Sequence, residues 1–225
     1  MRILKKIMTL ALSAAVLGGL ASCSNNPANE SSGSSVYAVT EQSLITTAKE
    51  TTEQTVTEKQ SKIGKAVVVY FSCTGNTKEV AQKIASEVGC ITYEIVPSKP
   101  YTTEDLNYSN KKSRATREQN DKNARPEIEG TVIDLSSYDT VFIGYPIWFA
   151  KAPRILNTFV ESQSFEGKTV IPFCTSGSSG IGTSATELAE LAENKGKWLS
   201  GTRFGSTVKS TDIAQWLAAL ENELS

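Results

Sequence analysis

Lys65-Ala66-Val67-Val68-Val69-Tyr70-Phe71-Ser72-Cys73-Thr74-Gly75-Asn76-Thr77 runs from an almost unbroken apolar stretch into a hydroxyl-rich turn, and its reading decides the fold. A strand with one wet face alternates apolar and polar residues. Continuous apolar residues from Ala66 to Phe71 instead predict a strand buried on both faces, as in the centre of a parallel sheet. Beyond the turn, Val80, Ala81, Ile84, Ala85 and Val88 recur at three- and four-residue spacing, which predicts a helix. Asn76 and Thr77 can cap its start, and Gly89 ends it. Strand, tight turn and helix form the opening unit.

The same alternation continues outward. Ile91 to Val96, Thr140 to Gly144 and Thr169 to Phe173 read as further strands, each bounded by Gly, Pro or Ser. Trp198 to Phe204 reads as a broken fifth strand. Pro153 opens a helix that buries Ile155, Leu156, Phe159 and Val160. Ser184 and Glu187 have the spacing of a capping box for a helix carrying Leu188 and Leu191. Ile213, Trp216, Leu217 and Leu220 define the last helix. Alternating β and α elements imply an α/β fold, a doubly wound parallel sheet with right-handed crossovers and helices on both faces. Tyr101 to Glu129 breaks the pattern: it is long, polar and rich in Lys, Arg and Asn, and predicts a partly helical excursion without a buried face.

Between its buried strand and its helix, the turn Ser72-Cys73-Thr74-Gly75-Asn76-Thr77 sits where uncapped backbone N–H groups and the helix dipole favour an anion. Hydroxyls and one amide add donors. Without a Gly-x-x-x-x-Gly-Lys pattern, the turn suits a single terminal phosphate better than a nucleoside triphosphate with magnesium. Here Ser72, Thr74, Gly75 and Thr77 resemble the phosphate loop of the flavodoxin family, Thr/Ser-x-Thr-Gly-x-Thr. That resemblance implies a flavodoxin-like domain, a five-stranded sheet in the order 2-1-3-4-5, and bound flavin mononucleotide (FMN).

In that order the carboxyl ends of the first, third and fourth strands share one edge, so two more loops should reach the cofactor. Tyr145-Pro146-Ile147-Trp148-Phe149-Ala150 leaves the third strand with two large aromatics, flat apolar partners for an isoalloxazine. Gly144-Tyr145-Pro146-Ile147-Trp148, followed by Ala152-Pro153, resembles a branch of the family found among exported bacterial lipoproteins. Trp148 is read as the stacking residue, with a purely structural core tryptophan as the alternative, and Tyr145 as structural. After the fourth strand, Cys174-Thr175-Ser176-Gly177-Ser178-Ser179-Gly180 offers N–H groups and hydroxyls to the polar edge of the ring. The expected cofactor-binding set is therefore Ser72, Cys73, Thr74, Gly75, Asn76, Thr77, Pro146, Ile147, Trp148, Phe149, Thr175, Ser176, Gly177, Ser178 and Gly180. The last loop carries no aromatic to cover the second ring face, so Phe149, Tyr101 or Tyr108 could do so. Arg114, Arg117 and Arg125 could steer an anionic partner, or be a solvated charged surface.

Composition narrows the chemistry. The chain has no histidine, which removes Ser-His-Asp, Cys-His and His-ligated zinc sites. Its four cysteines, Cys23, Cys73, Cys90 and Cys174, form no Cys-x-x-Cys pair. Cys73 and Cys174 should lie on strands that are not adjacent, and Cys90 at the other end of the sheet, so these three are expected as free thiols. A net charge of -1 gives no basic face for nucleic acid.

The N-terminal stretch reads differently. Arg2, Lys5 and Lys6 precede an apolar run from Ile7 to Leu20, too short to span a membrane and fit for an export signal. It ends Leu20-Ala21-Ser22-Cys23, which resembles the bacterial lipoprotein box. Lipidation of Cys23 would anchor the exported protein to the outer face of the cytoplasmic membrane; ordinary cleavage near Ala21 is the alternative. Residues 24–62 are polar and poor in large apolar side chains, the composition of a disordered tether. The expected organisation is signal peptide 1–23, tether 24–62 and one FMN-binding domain 63–225. Three functions fit such a domain: an electron carrier serving a redox partner protein, a reductase passing hydride from a nicotinamide to a small acceptor, and a flavin-binding module without turnover.

Overall fold

The computed structural model describes residues 63–224. Cys23, the signal segment and the tether 24–62 lie outside the described residues. The elements follow in the order β1 (Ala66–Tyr70), α1 (Asn76–Val88), β2 (Ile91–Glu94), α2 (Arg114–Asn120), β3 (Thr140–Pro146), α3 (Arg154–Glu161), β4 (Thr169–Thr175), α4 (Ser184–Leu191), β5 (Lys197–Trp198), β6 (Thr202–Phe204) and α5 (Ser210–Glu223).

The strands form one parallel sheet in the order β2-β1-β3-β4-β5, with β6 also pairing on β4. The expected order thus holds. The fifth position is filled by two short pieces, because the chain turns sharply at Gly201, whose φ is 73°. Central β1 is buried at every residue. Its side chains split between two cores: Val67, Val69 and Phe71 face α3 and α4, whereas Ala66, Val68 and Tyr70 face α1 and α5. Period-two alternation with both faces covered explains the continuous apolar run, each fully buried valine contributing about 1.5–3 kcal/mol. Where β3 pairs with β4, a Cβ on Gly144 would lie 2.1 Å from the ring of its register partner Phe173, so only glycine makes room for that ring.

Three local expectations are corrected. β2 ends at Glu94 rather than Val96, and Ile91 is exposed, because β2 is the edge of the sheet. The Ser184–Glu187 capping box does not form: Thr183 is the N-cap, and Ser184 is fully buried inside the helix. Ser184 Oγ donates its proton to Ile181 O at 2.6 Å, so the 3.0 Å bond to Tyr145 must come from the phenol. That buried bond outcompetes the cap and gives Tyr145 its structural role. The excursion 101–129 does have a buried face, contrary to its polar appearance. Ala115, Thr116 and Gln119 of α2 are buried, and Ser113 caps the helix by accepting from Thr116 N at 3.3 Å.

Candidate functional site

At the carboxyl end of β1 the turn is shaped by glycine. Gly75 is the N-cap of α1 with φ 89°, a left-handed conformation that side chains disfavour, and its N–H donates to Ser72 Oγ at 3.1 Å. No side chain caps α1, so the expected capping by Asn76 and Thr77 is absent. Asn76 Nδ2 instead bonds Thr74 Oγ1 at 3.3 Å, and Thr77 Oγ1 shares a 2.7 Å bond with Thr175 Oγ1. First-turn N–H groups without intrahelical partners therefore remain available to an anion. In the buried threonine pair one hydroxyl gives its proton to the other, which leaves the second proton free to point outward.

Leaving β3, the chain makes a two-residue turn closed by Trp148 N–H to Lys151 O (2.9 Å) and Lys151 N–H to Trp148 O (3.0 Å). Its central residues, Phe149 and Ala150, have φ values of 50° and 62°, at a cost of about 1–2 kcal/mol each for residues with a Cβ. Gln119 of α2 clamps this turn, its Nε2 donating to Trp148 O at 2.9 Å and Ala152 O at 3.1 Å. Gln119 Oε1 is sealed without a partner, so the clamp keeps one acceptor unsatisfied. Strain and orphaned acceptor together mark the turn as held for a reason other than stability.

The result is a division of labour between the two aromatics. Trp148 is 3% exposed, edge-on to Phe71 at 5.6 Å and to Tyr101 at 5.2 Å. Tyr101 in turn lies under the Arg114 guanidinium at 3.9 Å and donates to Glu118, which is also ion-paired with Arg114 at 2.6 Å. Phe149, by contrast, is 46% exposed and meets Tyr108 of the excursion at 5.3 Å. The open aromatic surface thus belongs to Phe149 and Tyr108, with Trp148 as the packed base beneath.

Beyond β4, Ser176 N–H donates to Phe204 O and Ser176 Oγ to Ser179 O, while Arg203 binds Ser176 O at 2.9 Å. These bonds fix the third loop against β6. All three loops converge on one cavity of about 630 Å3. Ser72, Cys73, Thr74, Asn76 and Thr77 line it from the first loop, and Pro146, Ile147, Trp148 and Phe149 from the second. Thr175, Ser176, Gly177, Ser178 and Ser179 line it from the third. Gly75 and Gly180 are not on the wall; Gly75 acts by bending the chain. Leu106, Tyr108 and Ser206 also line the cavity. Leu106 and Ser206 escaped sequence reasoning: one sits in the irregular excursion, the other follows a three-residue strand, and neither has a pattern to flag it.

Among the described residues, neutral groups make up the lining, with no lysine, arginine or carboxylate among them. Burial pushes the Cys73 and Cys174 thiols up to about 12, so Cys73 meets the cavity as an uncharged SH. Among the described residues, Cys73, Cys90 and Cys174 form no disulfide. The expected steering arginines are otherwise engaged: Arg114 with Glu118, Arg125 bidentate with Glu161 at 2.6 Å, and Arg117 with Lys112 O at 2.8 Å.

Comparison with known proteins agrees with this architecture. A candidate flavoprotein from Bacteroides eggerthii is 45% identical, covering 69% of this chain and 97% of its own, with a TM-score of 0.65. One from Bacteroides uniformis is 42% identical over 69% and 98% of the two chains, with a TM-score of 0.66. A Lactobacillus acidophilus flavoprotein, solved in complex with FMN, shares the fold at 22% identity and a TM-score of 0.53, covering 68% of this chain and 98% of its own. Comparison with curated proteins gives no match. The family model described as Flavodoxin matches residues 65–220, nearly all of the described domain, and on that match the chain belongs to the flavodoxin family.

Proposed function

We propose that the cavity binds FMN and that the protein is an electron carrier working at a membrane surface. The carrying observation is the neutral lining: a cradle of N–H groups and hydroxyls adjoins an aromatic wall, in a space of about 630 Å3. That donor set fits a phosphate monoester, which flavodoxin-family membership and the FMN complex of the Lactobacillus acidophilus protein support. The backbone N–H groups at Asn76 and Thr77, with the Thr77–Thr175 hydroxyl pair, would hold the phosphate. Phe149 and Tyr108 would flank the ring, and the loop 175–179 would present donors to its polar edge. When bound, the flavin supplies the one- and two-electron chemistry. The chain's own part is to bind it, orient it and limit water around it.

Flavodoxin-family membership favours carrier over reductase, and among the described residues no cation lines the cavity to add to the binding of a dinucleotide's further phosphates. Stopped-flow mixing of flavin-loaded protein with NADH and NADPH tests this. Bleaching only by a chemical reductant supports the carrier, and bleaching by either nucleotide at catalytic rates supports the reductase.

Membrane attachment rests on the signal-like segment and Leu20-Ala21-Ser22-Cys23. Two acyl chains at Cys23 would suffice for a stable anchor. The polar stretch 24–62 separates Cys23 from the domain in sequence. Cys23→Ala should move the protein from the membrane fraction to the soluble exported fraction; unchanged fractionation would remove the anchor from this reading.

A further inference from the structure

A second cavity, of about 460 Å3, begins where the aromatic turn ends: Lys151 and Ala152 line it, together with α3, α4 and the segment after α2. Two of its side chains are buried yet incompletely used. Arg154 and Asn157 stand one turn apart on α3 and are 9% and 6% exposed. The Arg154 guanidinium donates to Glu118 O at 3.3 Å and Gln119 O at 2.9 Å, closing the end of α2. It meets no carboxylate within ion-pair range among the described residues, and its Nη1 makes no hydrogen bond there. Asn157 likewise has no side-chain hydrogen bond among the described residues, yet its amide is not sealed, since Gln119 Oε1 alone is a sealed orphan. Its amide therefore opens onto the cavity it lines.

The remaining walls define the ligand. Leu188, 1% exposed, and Leu191 give an apolar side. Lys151 is neutralised by Glu187 at 2.6 Å and Arg125 by Glu161 at 2.6 Å, which leaves Arg154 as the buried uncompensated cation. Lys122 stands at the exposed mouth, and Glu187 with Glu190 makes the α4 wall hostile to a second negative group. An uncompensated guanidinium beside an unused amide matches one planar carboxylate. We infer that this cavity binds a small monocarboxylic acid, its carboxylate on Arg154 and Asn157 and its apolar chain along Leu188 and Leu191.

The test follows the Asn157 side-chain amide resonances of the full chain by NMR during titration with hexanoate, with phosphate and citrate as comparators at constant ionic strength. The inference predicts a saturable shift with hexanoate, at least tenfold weaker binding of both comparators, and loss of the hexanoate effect on α3 and α4 backbone amides in two variants. Asn157→Ala removes the amide donor, and Leu191→Trp fills the apolar side while leaving Arg154 in place. Should the tryptophan variant fail to fold, the alanine variant decides. No saturable shift, equal binding of phosphate, or hexanoate binding unchanged in the variants would each overturn it, and none of these results bears on FMN in the first cavity.

Discussion

Thr77 and Thr175 join two of the three loops through one buried 2.7 Å hydroxyl bond, so in the proposed site each would depend on the other to aim a proton at the phosphate. Thr77→Val should weaken FMN binding by about 1.5–3 kcal/mol, the usual loss for a bond to a charged group, and leave riboflavin binding unchanged. Because the pair acts as a unit, Thr77→Val with Thr175→Val should cost little more than either alone in a double-mutant cycle by fluorescence titration. Additive losses would mean that the two hydroxyls act independently. Hydroxyl identity was legible in the sequence as donor chemistry. Their mutual bond was not, since it spans residues far apart in the chain and depends on the β1–β3–β4 register.

Elements differ in how openly they declare themselves. β1, β3 and β4 are buried on both faces and therefore largely apolar, with threonines only at the ends of β3 and β4, and their order follows from the alternation. α2 hides because its buried face is made of Ala115, Thr116 and Gln119, small or polar residues that a hydrophobic pattern cannot find. Trp148 is ambiguous in the same way: an aromatic at a strand exit can stack on a ligand or pack, and here it both lines the cavity and meets the rings of Phe71 and Tyr101, contacts that no local pattern declares. The function of α2 is to hold the strained turn. Gln119→Leu removes both of its bonds and strands the carbonyl of Ala152, while Trp148 O keeps its bond from Lys151 N–H; the loss should cost about 1–3 kcal/mol of stability by denaturant melts. It should also raise the FMN dissociation rate as Phe149 loses its fixed position, whereas a variant with weakened stability but wild-type flavin kinetics would deny α2 this role.

For the whole domain, buried acids set the alkaline limit. Cys73 and Cys174 are pushed up to about 12 by burial, and burial also raises Tyr70, Tyr101 and Tyr145 above their ordinary range. A group whose folded pKa lies above its unfolded value stabilises the fold below the unfolded pKa and loses that contribution as pH climbs toward the folded one. Melting temperature should therefore be insensitive to these groups at neutral pH and fall progressively above about 9, the ordinary thiol value. A melting temperature that stays level up to pH 11 would contradict their burial. Of these groups Cys73 alone lines the proposed flavin site, where no cation is found among the described lining residues, so selectivity there must come from dipoles. The decisive measurement is a fluorescence-quenching titration of the protein with FMN and, in parallel, with riboflavin, which keeps the ring but lacks the phosphate. Tight FMN binding with riboflavin weaker by roughly a hundredfold, the worth of one or two bonds to a charged group, is the predicted result; no FMN binding, or equal affinity for the two flavins, would contradict the account.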